Sequence, residues 1–153
     1  PKGNIVALVQ TGTGILILAT KGLDIYQNKI INNQTTSTGI ISYFTTGKLI
    51  KDEAYDPFPS AISIHDNQYE RKPSLPIGTD ALTAIVAKKF KENTPHIIFD
   101  GVKNPTLLDN KGNWISGQCI SIVNNQNQSI ATLDVQNQFK GMSRADDSFK
   151  CVN

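Results

Sequence analysis

Charged side chains are scarce in this 153-residue sequence, at 18%, and aromatic ones scarcer still, at 7%. Fifteen Lys and Arg against thirteen Asp and Glu leave a net charge of +2, far short of the basic stripe that nucleic-acid binding needs. So few rings leave a base-stacking platform unsupported as well. There is no run of 18 apolar residues, so a membrane contact is expected only through a preceding hydrophobic helix. No basic leader with a cleavage site opens the chain, and residue 1 is Pro rather than Met, which predicts that an earlier segment was removed.

Cysteine is also rare: Cys119 and Cys151 are the only two. Neither lies in a CxxC motif and no His stands at zinc-ligand spacing from either. A disulfide tying a β-region to the C-terminal tail is therefore expected, and with it an oxidising compartment. What replaces charge is Asn, Gln, Thr and Ser, a surface common on exported proteins. At this length the chain is expected to form a single domain, residues 1–153, with its own core.

Residues Ile5–Tyr26 carry apolar side chains at 5, 8, 9, 15, 16, 19, 23 and 26, spacing that predicts an amphipathic helix. The alternative is a pair of short strands, Ile5–Val9 and Ile15–Leu18, joined by Thr11-Gly12-Thr13-Gly14. Residues 27–38 read as a loop, and a short helix is expected from Thr38 to Thr45, with a further turn or two in Lys48–Tyr55 before Pro57 and Pro59. Ile62 and Ile64 alternate with Ser, as in a strand. The strongest helix signal is Asp80–Asn93, with Thr79 or Asp80 as cap and Lys88, Lys89 and Lys91 near its end. Strand character returns at His96–Asp100. Residues 109–113 form a turn cluster, and two alternating runs, Trp114–Val123 and Ser129–Val135, predict an antiparallel hairpin. No internal repeat is evident. Helices first and sheet later give an α+β class, an N-terminal helix packed on an antiparallel β-sheet.

Chemistry finds little footing. Thr11-Gly12-Thr13-Gly14 lacks the Lys-Ser/Thr of a phosphate loop. His65 and His96, the only histidines, have no G-x-S-x-G partner motif. Asp52, Glu53 and Asp56 cluster near Lys48 and Lys51 as on a solvated face, and Asp146-Asp147 lacks calcium-loop spacing. Asn33-Gln34-Thr35 and Asn127-Gln128-Ser129 match the glycosylation pattern. No enzyme activity, cofactor or metal is expected.

The segment Thr46-Gly47-Lys48-Leu49-Ile50-Lys51-Asp52-Glu53-Ala54-Tyr55-Asp56-Pro57-Phe58 resembles one in type IVb pilins, of the toxin-coregulated and thin-pilus kind. There it reads Leu-Gly-Lys-Ile, Asp-Glu-Ala, Asn-Pro-Phe. The resemblance implies a pilin-like subunit, major or minor, that lacks its hydrophobic first half-helix. Ile5, Leu8, Ile15, Leu16 and Leu23 would then line the helix that packs against the sheet and neighbouring subunits. It further implies other pilin subunits and a host or surface receptor as partners. The location implied is a filament on the cell surface, reached through the inner membrane and periplasm, where the subunit would act in assembly, adhesion or filament initiation. Two other readings stand beside it: a secreted or phage-borne binding module recognising a partner through polar loops such as 124–128, and an exported hydrolase using His65 or His96.

Overall fold

In the computed structural model, which describes residues 9–151, strands dominate. The order is β1 (Thr13–Leu18), β2 (Lys21–Tyr26), β3 (Lys29–Ile31), β4 (Thr36–Ile41), β5 (Ser60–His65), β6 (Gln68–Glu70), α1 (Ala81–Phe90), β7 (Ile97–Phe99), β8 (Ile120–Val123), β9 (Ile130–Thr132) and β10 (Ser143–Arg144). These strands form three sheets, ordered β1-β4-β7-β9-β10, β2-β5-β8 and β3-β6. Every pairing is parallel except β9 with β10. The chain visits the first sheet, then the second, then the third, and returns one strand further along, so it winds as a parallel β-helix. In its third coil the third sheet is reduced to a bridge between Gln68 and Gln126.

The alternation of β-branched residues explains the winding. Register stacks Ile15, Thr38, Ile97 and Ile130 on the first sheet, and Leu23, Ile62 and Ile120 or Ile25, Ile64 and Ile122 on the second. These side chains point inward and join Ile17, Ile40, Tyr69 and Phe99 in one core. The outward row of the first sheet, Leu16-Gly39-Ile98-Ala131, is also apolar. Helix α1 covers it, with Val86 and Phe90 packed in a second cluster with Ile98, Ala131, Leu133 and Met142. As expected for the 80–93 helix, Asp80 caps it by accepting from the Thr83 amide at 3.0 Å. A 3-10 turn, Lys91–Asn93, follows.

Three expectations are corrected. First, there is no N-terminal helix over 13–26. Strands β1 and β2 take its place, and the fold is not an N-terminal helix on an antiparallel sheet but mixed, mostly parallel sheets with a single α-helix among the described residues. Two strands broken by a corner at Ala19, with φ of 44°, leave an apolar spacing close to that of one helical stripe. Ile15 and Leu23 line the core, Leu16 lies on the outward row towards α1, and Ile5 and Leu8 fall outside the described residues. Gly14 marks the packing that decided it: a Cβ there would meet the Ser37 carbonyl oxygen at 2.6 Å. Second, residues 38–45 begin as strand β4, with only a 3-10 turn at Tyr43–Thr46. Third, β8 and β9 are not a hairpin, because they belong to different sheets.

The disulfide does form. Cys119 and Cys151 are bonded with Cα atoms 6.0 Å apart, within the range a disulfide requires. It holds a tail that closes the C-terminal end of the coil. The Ile122 amide donates to the Phe149 carbonyl at 2.8 Å, and the Phe149 ring meets Phe99 edge-on at 5.8 Å.

Candidate functional site

Each passage from the second to the third sheet turns on a residue with positive φ followed by Asn: Gln27-Asn28, Asp66-Asn67 and Asn124-Asn125. The three amides stack. Asn67 donates from Nδ2 to the carbonyls of Ile25 and His65, both at 2.9 Å, while its Oδ1 accepts from the Asn28 amide at 3.0 Å. Asn125 repeats the pattern one coil on, donating to Ile64 and Val123 and accepting from the Asn67 amide. This corner is a structural ladder in which the amides serve the backbone of neighbouring coils.

Freedom lies at the corner between the first and second sheets. In the first coil it is only Ala19 and Thr20, but in the second and third it expands to residues 42–59 and 100–119. In repeat architectures such insertions gather on one face, often the binding face. Both loops are rooted on Asp100, a fully buried carboxylate. Its Oδ2 accepts from the Ser42 amide at 2.7 Å and the Thr45 hydroxyl at 2.6 Å, and its Oδ1 from the Val102 amide at 2.9 Å. Burial raises its pKa, and these hydrogen bonds oppose the rise. The loop 42–59 contains residues 46–58 and is braced by edge-on pairs Tyr43–Tyr55 and Phe44–Phe58. Leu49 at its tip is 86% exposed.

Residues 100–119 fold into a small hairpin. Leu108 and Trp114 bridge, and the Asp109 carboxylate closes the 109–113 turn by accepting from the amides of Lys111 and Asn113 at 2.8 and 2.9 Å. Those amides, Asn113 first, hold the Asp109 pKa below its ordinary value. Trp114, the only tryptophan in the sequence, packs half-buried against the core, with the Lys103 ammonium 5.5 Å above its ring. Between this hairpin, the second sheet and the tail 143–151 runs a groove of about 920 Å3, at the upper end of the size of ligand pockets. Lys103, Asn113, Trp114, Ser121, Arg144 and Lys150 are among its lining residues, and the disulfide forms part of its wall.

Neither histidine is placed as the base of a serine triad. His65 has Asp66 2.7 Å from Nδ1 and Asp24 3.1 Å from Nε2, so both ring nitrogens face carboxylates and none is left for a serine. The Asp66 hydrogen bond is the main cause that raises its pKa; desolvation opposes it, and the Asp24 charge adds a smaller rise. Its ring stacks on Tyr26 at 5.4 Å. His96 hydrogen-bonds the buried Ser37 hydroxyl at 2.8 Å and stacks on Tyr69. It is lowered to about 4, by burial and then by the Arg71 charge. No carboxylate orients that pair among its described hydrogen bonds and ion pairs.

Of the other sequence candidates, Thr11–Gly14 is a coil contact, the Gly12 carbonyl accepting from the Thr35 amide at 2.9 Å. Asp146 accepts from the Ile130 amide, and Asp147 lies 3.7 Å from Lys150. Asn127 donates to the Tyr69 carbonyl. Among the described residues no group of three or more His, Cys, Asp and Glu gathers as a metal site, and no helix is long and apolar enough to cross a membrane. The groove residues Lys103, Ser121 and Arg144 went unnoticed in the sequence, because sheets distant in sequence bring them together. The Asn ladder had a signal: Leu23-Asp-Ile-Tyr-Gln-Asn28, Ile62-Ser-Ile-His-Asp-Asn67 and Ile120-Ser-Ile-Val-Asn-Asn125 share one pattern. No protein family, curated protein or solved structure matches the chain.

Proposed function

We propose that this chain is a non-catalytic recognition module of an exported protein, which holds an extended ligand in the groove between the 100–119 hairpin and the C-terminal tail. The carrying observation is the placing of the 100–119 insertion over that groove, at the corner where residues 42–59 also leave the coil. The disulfide in the groove wall supports an oxidising, extracellular setting. A rigid solenoid that displays loops suits binding better than turnover, since both histidines are committed to structural contacts. The filament-subunit reading keeps only its 46–58 segment, a surface loop, because strands replace the helix it required over 13–26.

Trp114 is a built-in reporter. Its emission is to be followed while the protein is titrated with hexameric neutral glucans, hexameric polyuronates and acidic peptides. One of these series should shift the emission with saturation, and Ser121→Tyr, a bulky residue placed on the groove lining, should weaken that binding at least roughly tenfold, or about 1.4 kcal/mol. If no series binds, or if Ser121→Tyr leaves affinity intact, the groove reading is wrong. Filaments of the purified protein seen by electron microscopy with no ligand bound in the groove would favour the subunit reading instead.

A further inference from the structure

The groove walls differ in charge from the chain as a whole. Three of its four charged lining residues are basic, Lys103, Arg144 and Lys150, and the fourth, Asp109, spends its carboxylate on its own turn. Among the described residues no carboxylate lies within 4.0 Å of the nitrogens of Lys103 or Arg144. Arg144 lines the groove, but its guanidinium lies over Phe90 and donates to the Asn93 carbonyl on the α1 side, and Lys150 has Asp147 3.7 Å away. Lys103 is held over the Trp114 ring.

Little strand edge is open at this end. The tail meets β8 at the Phe149 carbonyl, and β10 covers β9, leaving the two-residue β10 as the outermost strand of the first sheet. A peptide therefore finds only a short edge to extend by backbone pairing. What remains is side-chain recognition by hydroxyls, an amide, an indole and cations, with Ser121, Asn113, Trp114 and Lys103 as its elements. Hydroxyls and amides match sugar hydroxyls, while ammonium and guanidinium groups match carboxylates. We infer that the ligand of this groove is an acidic oligosaccharide, a uronate-bearing chain whose carboxylates meet Lys103 first and Lys150 second. This inference rests on the recognition reading above and adds the ligand's class to it.

The test compares three probes by calorimetry and Trp114 emission: a hexameric polyuronate, a neutral glucan hexamer and a hexaglutamate peptide. The polyuronate should bind tightest, and its affinity should fall as salt is raised. Lys103→Gln should weaken it roughly tenfold, as loss of a charge-assisted hydrogen bond implies, with Lys103→Arg restoring most of the loss. Unchanged thermal midpoints would verify the fold, and should Lys103→Gln unfold, Lys150→Gln carries the same comparison with a smaller loss expected. Equal binding of the neutral hexamer would overturn the acidic class while leaving the recognition module standing. Equal or tighter binding of hexaglutamate would overturn the glycan. No binding of any probe would sink both readings.

Discussion

Asn67 occupies the middle rung of the amide ladder and serves a coil on either side. It is 1% exposed, and its side chain satisfies the Ile25 and His65 carbonyls and the Asn28 amide. Leucine would match its volume and none of its hydrogen bonds. Leaving several buried backbone groups unpaired costs about 1–3 kcal/mol for each, so Asn67→Leu should lower unfolding free energy by about 3 kcal/mol or more, read from the urea midpoint. His96 makes a different prediction. Its folded pKa, about 4, lies below the ordinary 6.5, so between those values the unfolded chain binds more protons. Its contribution is full above pH 6.5 and fades as pH falls through 6.5 towards 4. His65, raised by Asp66 and Asp24, works the other way: its contribution is present below pH 6.5 and lost as pH rises through its folded value. The two separate by difference. The urea midpoint should fall less between pH 7 and 5 in His96→Gln than in the parent, and an identical fall in both would refute the assignment.

Among the elements, the tail depends most on one bond. A disulfide closing 32 residues contributes about 3–4 kcal/mol in the chain-entropy account. Its local effect should exceed that figure, because β10 has only two residues and Phe149 is the tail's main anchor in the core. Cys119→Ser/Cys151→Ser should therefore stay folded in its central strands and be cleaved preferentially within 140–151 under brief proteolysis, as mapped by mass spectrometry. Protection of that segment in the double variant would show that Phe149 and the Ile122 hydrogen bond suffice. Helix α1 stands at the other extreme. Its cap, apolar face and terminal lysines are all local, which is why the sequence announced it. The first strands are the counter-case. Inward residues 15 and 17, then 23 and 25, each follow a period of two, yet the apolar residues 16, 19, 23 and 26 across the corner fall at steps of three and four that read as helix.

At the scale of the whole molecule, stability comes from stacking coil upon coil, as in other solenoids. β4, β5, β7 and β9 are paired on both sides, while β1, β2 and β3 each pair with one described strand. The C-terminal end is closed by Phe149, Ala145 and Trp114. The sequence by itself determined the local features: strands around Ile62–Ile64 and Ile97–Phe99, the capped 80–93 helix and the 109–113 turn. Each rests on residues a few positions apart, whose propensities act before any tertiary contact forms. The disulfide, which spans 32 positions, was legible only because the sequence holds just two cysteines. Only the tertiary structure decided that the strands run parallel, that β8 and β9 belong to separate sheets, and that a basic groove forms from residues 103, 121, 144 and 150. The recurring Asn pattern falls at 28, 67 and 125, and the unequal insertions between rungs conceal its periodicity. Parallel pairing joins residues dozens of positions apart, and side-chain alternation is the same whichever strand lies alongside.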